Sequence, residues 1–436
     1  KELIEYVKDK FEKVVVLINA PMPLEIAELQ DDDGVDAIMW IGYPGWNGFE
    51  AVGELLSGVV NPSGRLVDTW TADVSKDPTW YNFYNNSQTS ADGKPNYYVF
   101  DKDGNKTSYV SIDYSEGIYM GYKWYETAAA DGYYEATAPE TLPANYLPAG
   151  VTDDYYNRYN GVVYPFGYGL SYSEFTQEFV STAVTPDKDG NVELEVKVTN
   201  NSTTAGKEVV QLYYNPTYVD GGVEKAATNL LAFAKTDVIK GGASATVKLS
   251  FNIRDMASYD VDGKVEKGYK GYVLEGGAYG ISLKNNSHEE IDSLTYTHAE
   301  TTKYDKDSNT GKTIEQLFSG DNYYNTDRTQ YTTDGSGLKV MTRAEQTVDG
   351  KKVKGLVATF PKTAGNVKFK DEALELLEMQ EINYSSSKDS ATDKYLGSMY
   401  KSEEEIKALG WTQENDPEAN RVNGWNTPVM LADMKG

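Results

Sequence analysis

The chain has 436 residues, with 67 acidic against 41 basic side chains, a formal net charge of -26, and no cysteine. That length corresponds to about three domains of ordinary size. The charge argues against nucleic acid and anionic membrane surfaces and fits a neutral ligand, while the missing cysteine excludes disulfides, thiolate nucleophiles, iron–sulfur clusters and cysteine-type zinc sites.

The chain opens on KELIEYVKDKFEK, where Leu3, Ile4, Val7 and Phe11 repeat at helical spacing. VVVLINA at residues 14–20 is a continuous β-branched apolar run, which predicts a strand buried on both faces, as in a parallel sheet. A helix is predicted at 23–30, a second buried strand, DAIMWIG, at 36–42, a glycine-containing loop through Tyr43, Trp46 and Asn47, and a helix at 49–57. Strand, helix, strand is a βαβ unit. Two parallel strands are too few to stand alone, so the expectation is that the first part of this α/β domain lies before Lys1.

From residue 176 the pattern becomes β. NVELEVKVTNNS alternates through Val192, Leu194, Val196 and Val198, EVVQLYYN follows, and ATVKLSFNI and KGYVLEGGAYGISLKNNS continue the series, with Gly241, Gly242, Gly276 and Gly277 at turns. Short strands at this spacing predict an antiparallel sandwich over 176–289. The stretch 290–436 is polar and weakly periodic, with amphipathic helices predicted at 371–380 and 402–409; it reads as an extended connector. No run of about 18 apolar residues occurs, so no membrane span is expected. The 35 tyrosines and seven tryptophans are flat side chains with a polar edge, suited to sugars and to β-sandwich cores alike.

Three motifs carry a resemblance. GFEAVGELLSGVVNPSGRLVDTW contains Asn61, Pro62, Ser63, Gly64, Arg65 and Leu66; YSEGIYMGYKWYET covers residues 114–127; YPFGYGLSYSEF covers 164–175. In this order they resemble the second half of the α/β sandwich domain of glycoside hydrolase family 3. VVQLYYNPTY, VEKAATNLLAFAKT and IRDMASYD are similar to the family's fibronectin type III-like domain. TRAE at 342–345 and the terminal LADMKG are similar to the stretch that precedes the (β/α)8 barrel in members of permuted domain order. The resemblance therefore implies domains at 1–175 (the α/β part, with Tyr-rich insertions at 79–112 and 128–161), 176–289 and 290–436, and a barrel beginning beyond Gly436. The chain is expected to be an internal piece of a larger enzyme.

It further implies a retaining exo-β-glycosidase, most simply a β-glucosidase acting on oligosaccharides, with β-xylosidase or exo-glucanase activity as alternatives. Such enzymes use an Asp nucleophile and a Glu acid/base about 5 Å apart. The family's nucleophile motif on the barrel has no counterpart here, and the acid/base loop of the family precedes the strand at 14–20, so neither catalytic carboxylate is expected in this chain. Glu116, in SEGIYMGY, sits in the family's later segment and is assigned a structural role. The expected contribution is to the outer sugar site: Trp46 to stack on a pyranose face, Asn47 to hydrogen-bond a hydroxyl, and Tyr43 beside them, at the C-terminal end of a parallel strand where α/β ligands gather. The family often has Gln where this sequence has Trp46. A loop packing against the barrel is the alternative for these residues.

Other features have plain readings. DKDGN at Asp101 and again at Asp187 lacks the glycine and glutamate positions of a calcium loop and reads as a turn. His288 and His298 are too few for a zinc site or a Ser-His-Asp triad and are expected on solvated surface. No metal or cofactor is expected. Glycosylation sequons occur at Asn85, Asn105, Asn200, Asn201, Asn285 and Asn383. The expected partners are an oligosaccharide and the barrel-bearing remainder, with self-association possible through the insertions, in an extracellular or cell-surface setting. A non-catalytic carbohydrate-binding or structural module is the reading from a different class.

Overall fold

The computed structural model describes residues 2–30, 32–72, 116–131, 161–314 and 341–348, three isolated residues between 74 and 79, and short strands at 98–100, 106–110, 351–353, 367–368, 388–389 and 394–395. The predicted helices at 371–380 and 402–409, the first DKDGN, most of both insertions, and the sequons at Asn85, Asn105 and Asn383 lie outside the described residues. The chain divides into two units: Lys1–Phe83, Tyr114–Glu315 and Lys339–Thr359 form the first, and Tyr84–Asp113, Gln316–Leu338 and Phe360–Gly436 the second.

The first unit begins with helix α1 (Glu2–Lys8), strand β1 (Val15–Ile18), the short helix α2 (Ala27–Gln30), strand β2 (Ala37–Trp40), helix α3 (Gly45–Leu56) and strand β3 (Trp70–Thr71). β1 and β2 pair in parallel from Val15↔Ala37 to Ile18↔Trp40. The prediction that β1 is buried on both faces is corrected. Ile18 is buried with Ile26, Ala27, Trp70, Ala72 and Val163, whereas Val15 is 49 % and Leu17 39 % exposed. Successive strand side chains point to opposite faces, and the described elements cover only one of them. α2 is also shorter than predicted. Pro21 and Pro23 bias the entering chain to extended backbone, and the Glu25 carboxylate accepts the Val74 amide at 2.7 Å.

The second unit holds β4 (Tyr98–Phe100) and β5 (Lys106–Val110) in an antiparallel pair. Back in the first unit, helix α4 (Tyr122–Ala130) and strand β6 (Val162–Tyr164) follow. The second predicted insertion, set to start at 128, therefore cuts into α4. β6 pairs with β3 through Trp70↔Tyr164, which brings two of the family-like motifs together. Leu66 N donates to Tyr168 O and Gly167 N to Leu66 O, both at 2.8 Å. Gly169 is required here, since a Cβ would fall 2.2 Å from the Gly64 carbonyl oxygen. Asn61 joins the same contact, donating to Ser173 Oγ at 2.8 Å and accepting from Ser171 Oγ and Tyr172 N, each at 2.8 Å.

The sandwich comprises β7 (Phe175–Phe179), β8 (Asn191–Asn200), β9 (Val209–Pro216), β10 (Asn229–Lys235), β11 (Ser244–Asn252), β12 (Ser258–Asp260), β13 (Gly271–Leu274), β14 (Gly277–Lys284), β15 (Glu290–His298) and β16 (Thr302–Tyr304). One sheet has the order β11-β8-β7 and the other β10-β9-β14-β15; β12, β13 and β16 form a third, small sheet. The alternation read in β8 is realised: Val192, Leu194, Val196 and Val198 all point into the core, where they meet Val210, Leu212, Leu249, Ile281 and Leu283. The sandwich boundary at 289 is corrected. β15 pairs along β14 over residues 290–298, and β16 adds to β13. β15 is an edge strand that offers the core only Leu294 and Tyr296; its other positions, the exposed Ile291 apart, are polar and read as connector.

At the second DKDGN the carboxylate of Asp187 accepts the amides of Asp189 at 2.9 Å and Asn191 at 2.8 Å, closing an Asx-type turn. Asn200 is wholly buried, its amide donating to Thr204 O and Ile239 O, so that sequon is sealed; Asn201 and Asn285 are exposed. No helix among the described residues is long and apolar enough to cross a membrane.

Candidate functional site

The end of β2 is fixed by packing. The Trp40 indole donates to Ala20 O at 2.7 Å and stands edge-on to Trp70 with ring centroids 5.6 Å apart. Ile41 N donates to Ile18 O at 3.0 Å, extending the parallel ladder by one residue. Gly42 then turns the chain with φ 56° and Gly45 with φ 64°, conformations that L side chains rarely tolerate. α3 starts at Gly45, four residues before the predicted start at 49. Gly45 and Gly48 argue for a loop on propensity, but Pro44 supplies helix-compatible backbone at the N-cap, with φ -67°, and Val52 is drawn into the core.

Tyr43 therefore lies in the turn, while Trp46 and Asn47 sit in the first turn of a helix. All three are exposed, Tyr43 at 72 % and Trp46 at 99 %. Phe49, one turn along α3 from Trp46, is also exposed, so the indole and the phenyl ring share one face of the helix. The arrangement presents flat apolar rings beside an amide donor and acceptor. Such a surface can stack on the apolar face of a sugar and bond its hydroxyls.

Glu116 is far from that description. It is 2 % exposed, and its carbonyl accepts the Tyr119 amide at 3.0 Å in the turn leading into α4.

The two histidines differ in exposure. His288 is half exposed, with Nδ1 3.0 Å from the buried Glu126 carboxylate. His298, expected on solvated surface, is half-buried: Nδ1 lies 2.9 Å from Tyr296 Oη, Nε2 lies 2.9 Å from Thr302 Oγ1, and burial lowers its pKa.

α4 was not predicted at all, because tertiary contacts rather than a clean amphipathic stripe select its residues. It is a polar joint between the α/β part and the sandwich. Tyr122 Oη accepts Leu230 N and Thr127 Oγ1 accepts Ala227 N, each at 2.9 Å. The Tyr122 ring stacks on Phe166 at 4.5 Å. Ser287 Oγ donates to Glu126 at 2.8 Å, and the nearby Lys284 amine, its pKa lowered by burial, donates to Ser287 O at 3.2 Å. The signal that was available is the count of polar side chains in YKWYET with no solvent-facing period.

The fold and these contacts define a class: an α/β domain tied to a fibronectin-like sandwich by Asn61, whose amide donates to Ala205 O at 3.2 Å, and by the Arg65–Glu208 ion pair. Residues 1–122 match the glycosyl hydrolase family 3 C-terminal domain, and residues 208–287 match the fibronectin type III-like domain. The chain belongs to glycoside hydrolase family 3. It is 30 % identical over 310 residues to β-glucosidase A of Butyrivibrio fibrisolvens, a match covering 68 % of this chain and 31 % of that protein. It is 26 % identical over 292 residues to an exo-α-(1→6)-L-arabinopyranosidase of Bifidobacterium longum, covering 67 % of this chain and 30 % of that protein. A solved β-glucosidase from Paenibacillus barengoltzii superposes with a TM-score of 0.55 at 27 % identity, covering 77 % of this chain and 31 % of that one. The chain thus spans about a third of the length of these relatives.

Proposed function

We propose that this chain is the non-barrel part of a retaining, exo-acting β-glycosidase that hydrolyses terminal β-D-glucosyl residues of oligosaccharides. The observation that carries the reading is the match, over about two thirds of the chain or more, to proteins named β-glucosidases. The charge of -26 supports a neutral substrate. The nucleophile and the acid/base belong to polypeptide outside residues 1–436, with the barrel-bearing remainder as partner. The face carrying Tyr43, Trp46 and Asn47 contributes the outer sugar site. The arabinopyranosidase among the relatives favours a second reading, in which the same framework serves a different terminal pyranoside.

The test is hydrolysis of an aryl β-glucoside against aryl β-xyloside and aryl α-arabinopyranoside. Residues 1–436 alone are expected to be inactive on all three, and the polypeptide extended to include its barrel is expected to prefer the glucoside. Turnover by residues 1–436 alone would overturn the placement of the carboxylates; preference for another sugar by the extended enzyme would overturn the substrate.

A further inference from the structure

The short stretch Met341–Glu345 is held unlike a passive connection. Met341 is buried in a pocket with Tyr119, Trp124, Tyr125 and Ala128. Thr342 Oγ1 donates to the Glu224 carboxylate, which also accepts the Arg343 amide at 3.1 Å and the Tyr119 hydroxyl. Arg343 makes a bidentate pair with Asp131, Nε to Oδ2 at 2.9 Å and Nη2 to Oδ1 at 2.6 Å. Its Nη1 donates to Lys225 O at 2.9 Å. The guanidinium lies over the Tyr218 ring, 4.5 Å from its centroid, and both members of the ion pair are largely shielded from solvent. The Glu345 amide donates to Asp220 at 3.0 Å. An apolar anchor, a hydroxyl, a planar cation and two backbone amides each meet a complementary group. Three carboxylates, Glu224, Asp131 and Asp220, accept from a segment whose one cation is Arg343.

We propose that the surface between α4 and the sandwich loop at 218–226 is a docking site for a Met-Thr-Arg-Ala-Glu segment. Its occupant is residues 341–345 of this chain, and it recognises them as a discrete peptide. Recognition rests on the planar fork of arginine, which pairs bidentately and stacks at the same time; a lysine ammonium can do neither in this geometry. The inference is independent of the glycosidase reading, since it concerns contacts within the chain.

Hydrogen exchange on the full chain tests it. In Arg343→Met and in Asp131→Asn the amides of Arg343 and Glu345 should exchange at least tenfold faster than in the wild type, Arg343→Lys should behave like Arg343→Met, and the double variant should be no faster than either single one. A labelled peptide of residues 338–348 should bind the Arg343→Met chain, whose own segment is released, and not the wild type, whose site is filled. The same peptide with Met in place of arginine should bind neither. Should Arg343→Met not fold, Thr342→Val removes one donor to Glu224 without touching α4 and should give the same acceleration in smaller measure. Exchange unchanged in the variants, additive effects in the double variant, recovery by lysine, or a peptide that binds no form of the chain would overturn the proposal.

Discussion

Asp36 shows how one carboxylate sets the start of the parallel sheet. Its Oδ2 accepts the Val14 amide at 2.8 Å and its Oδ1 the Lys13 amine at 2.6 Å. The bond from Lys13, then that from Val14, holds its pKa below the ordinary carboxylate value. A carboxyl whose pKa is lower in the folded than in the unfolded chain stabilises above the unfolded value of about 3.9, and that stability fades as pH falls through the folded value. Asp36→Asn should therefore be less stable than wild type at pH 6, with the gap closing below about pH 4. Chemical denaturation at several pH values measures it, and a gap constant down to pH 3 would count against this role. Trp46 makes the opposite point. An indole so exposed contributes little to folding, and Trp46→Ala should change stability by no more than about 0.5 kcal/mol. In the barrel-containing enzyme the same change should raise KM for substrates with an extended aglycone while leaving kcat near wild type, as loss of uniform binding does. Unchanged aglycone preference would remove Trp46 from the outer sugar site.

At the level of elements, sequence pattern succeeded where one face of a strand is buried and the other wet. β8 alternates as read because its partners β7 and β11 hold it with one face on the core and one on solvent. Pattern failed where chemistry between elements chose the structure. α3 begins at Gly45 against helix propensity because Gly42 and Pro44 set the entry, and α4 exists because the sandwich receives Tyr122, Glu126 and Thr127. The sandwich strands also differ in what they carry. Leu212 in β9 is fully buried among the core residues, so Leu212→Ala should cost about 2–5 kcal/mol through lost burial and the cavity left behind. Phe233, on the edge strand β10, is mostly exposed, and Phe233→Ala should stay within about 0.5 kcal/mol. Denaturant midpoints of the two variants test the contrast; comparable losses would mean that β10 is covered in solution.

Across the first unit, the α/β part and the sandwich are tied by residues distant in sequence. Arg65, in the NPSGRL motif, pairs with Glu208 at the start of β9, and both side chains are nearly removed from water. The Glu208 carboxylate also accepts the Val209 amide at 2.7 Å. Removing one member of such a pair strands the other charge in the interior, so Arg65→Met should cost about 3–5 kcal/mol. Adding Glu208→Gln should restore a measurable part of it, because the stranded charge is gone. Thermal unfolding of the two single variants and the double variant decides; strictly additive losses would show that the two side chains act separately.

The amino-acid sequence by itself determined the module order, the family, the acidic surface that suits a neutral ligand, and the alternating strands of the sandwich. Each of these depends on composition, on spacing along the chain, or on short motifs such as NPSGRL, and all are local properties. The tertiary structure alone decided that the described elements cover only one face of β1, that the sandwich continues through β15 and β16, that Trp46 stands on a helix, and that α4 and residues 341–345 lock onto the sandwich. These depend on which distant groups meet, as when Arg343 reaches Asp131 across more than two hundred residues. No periodicity encodes that meeting, because the pairing is fixed by the geometry of the folded surface rather than by neighbours in the chain.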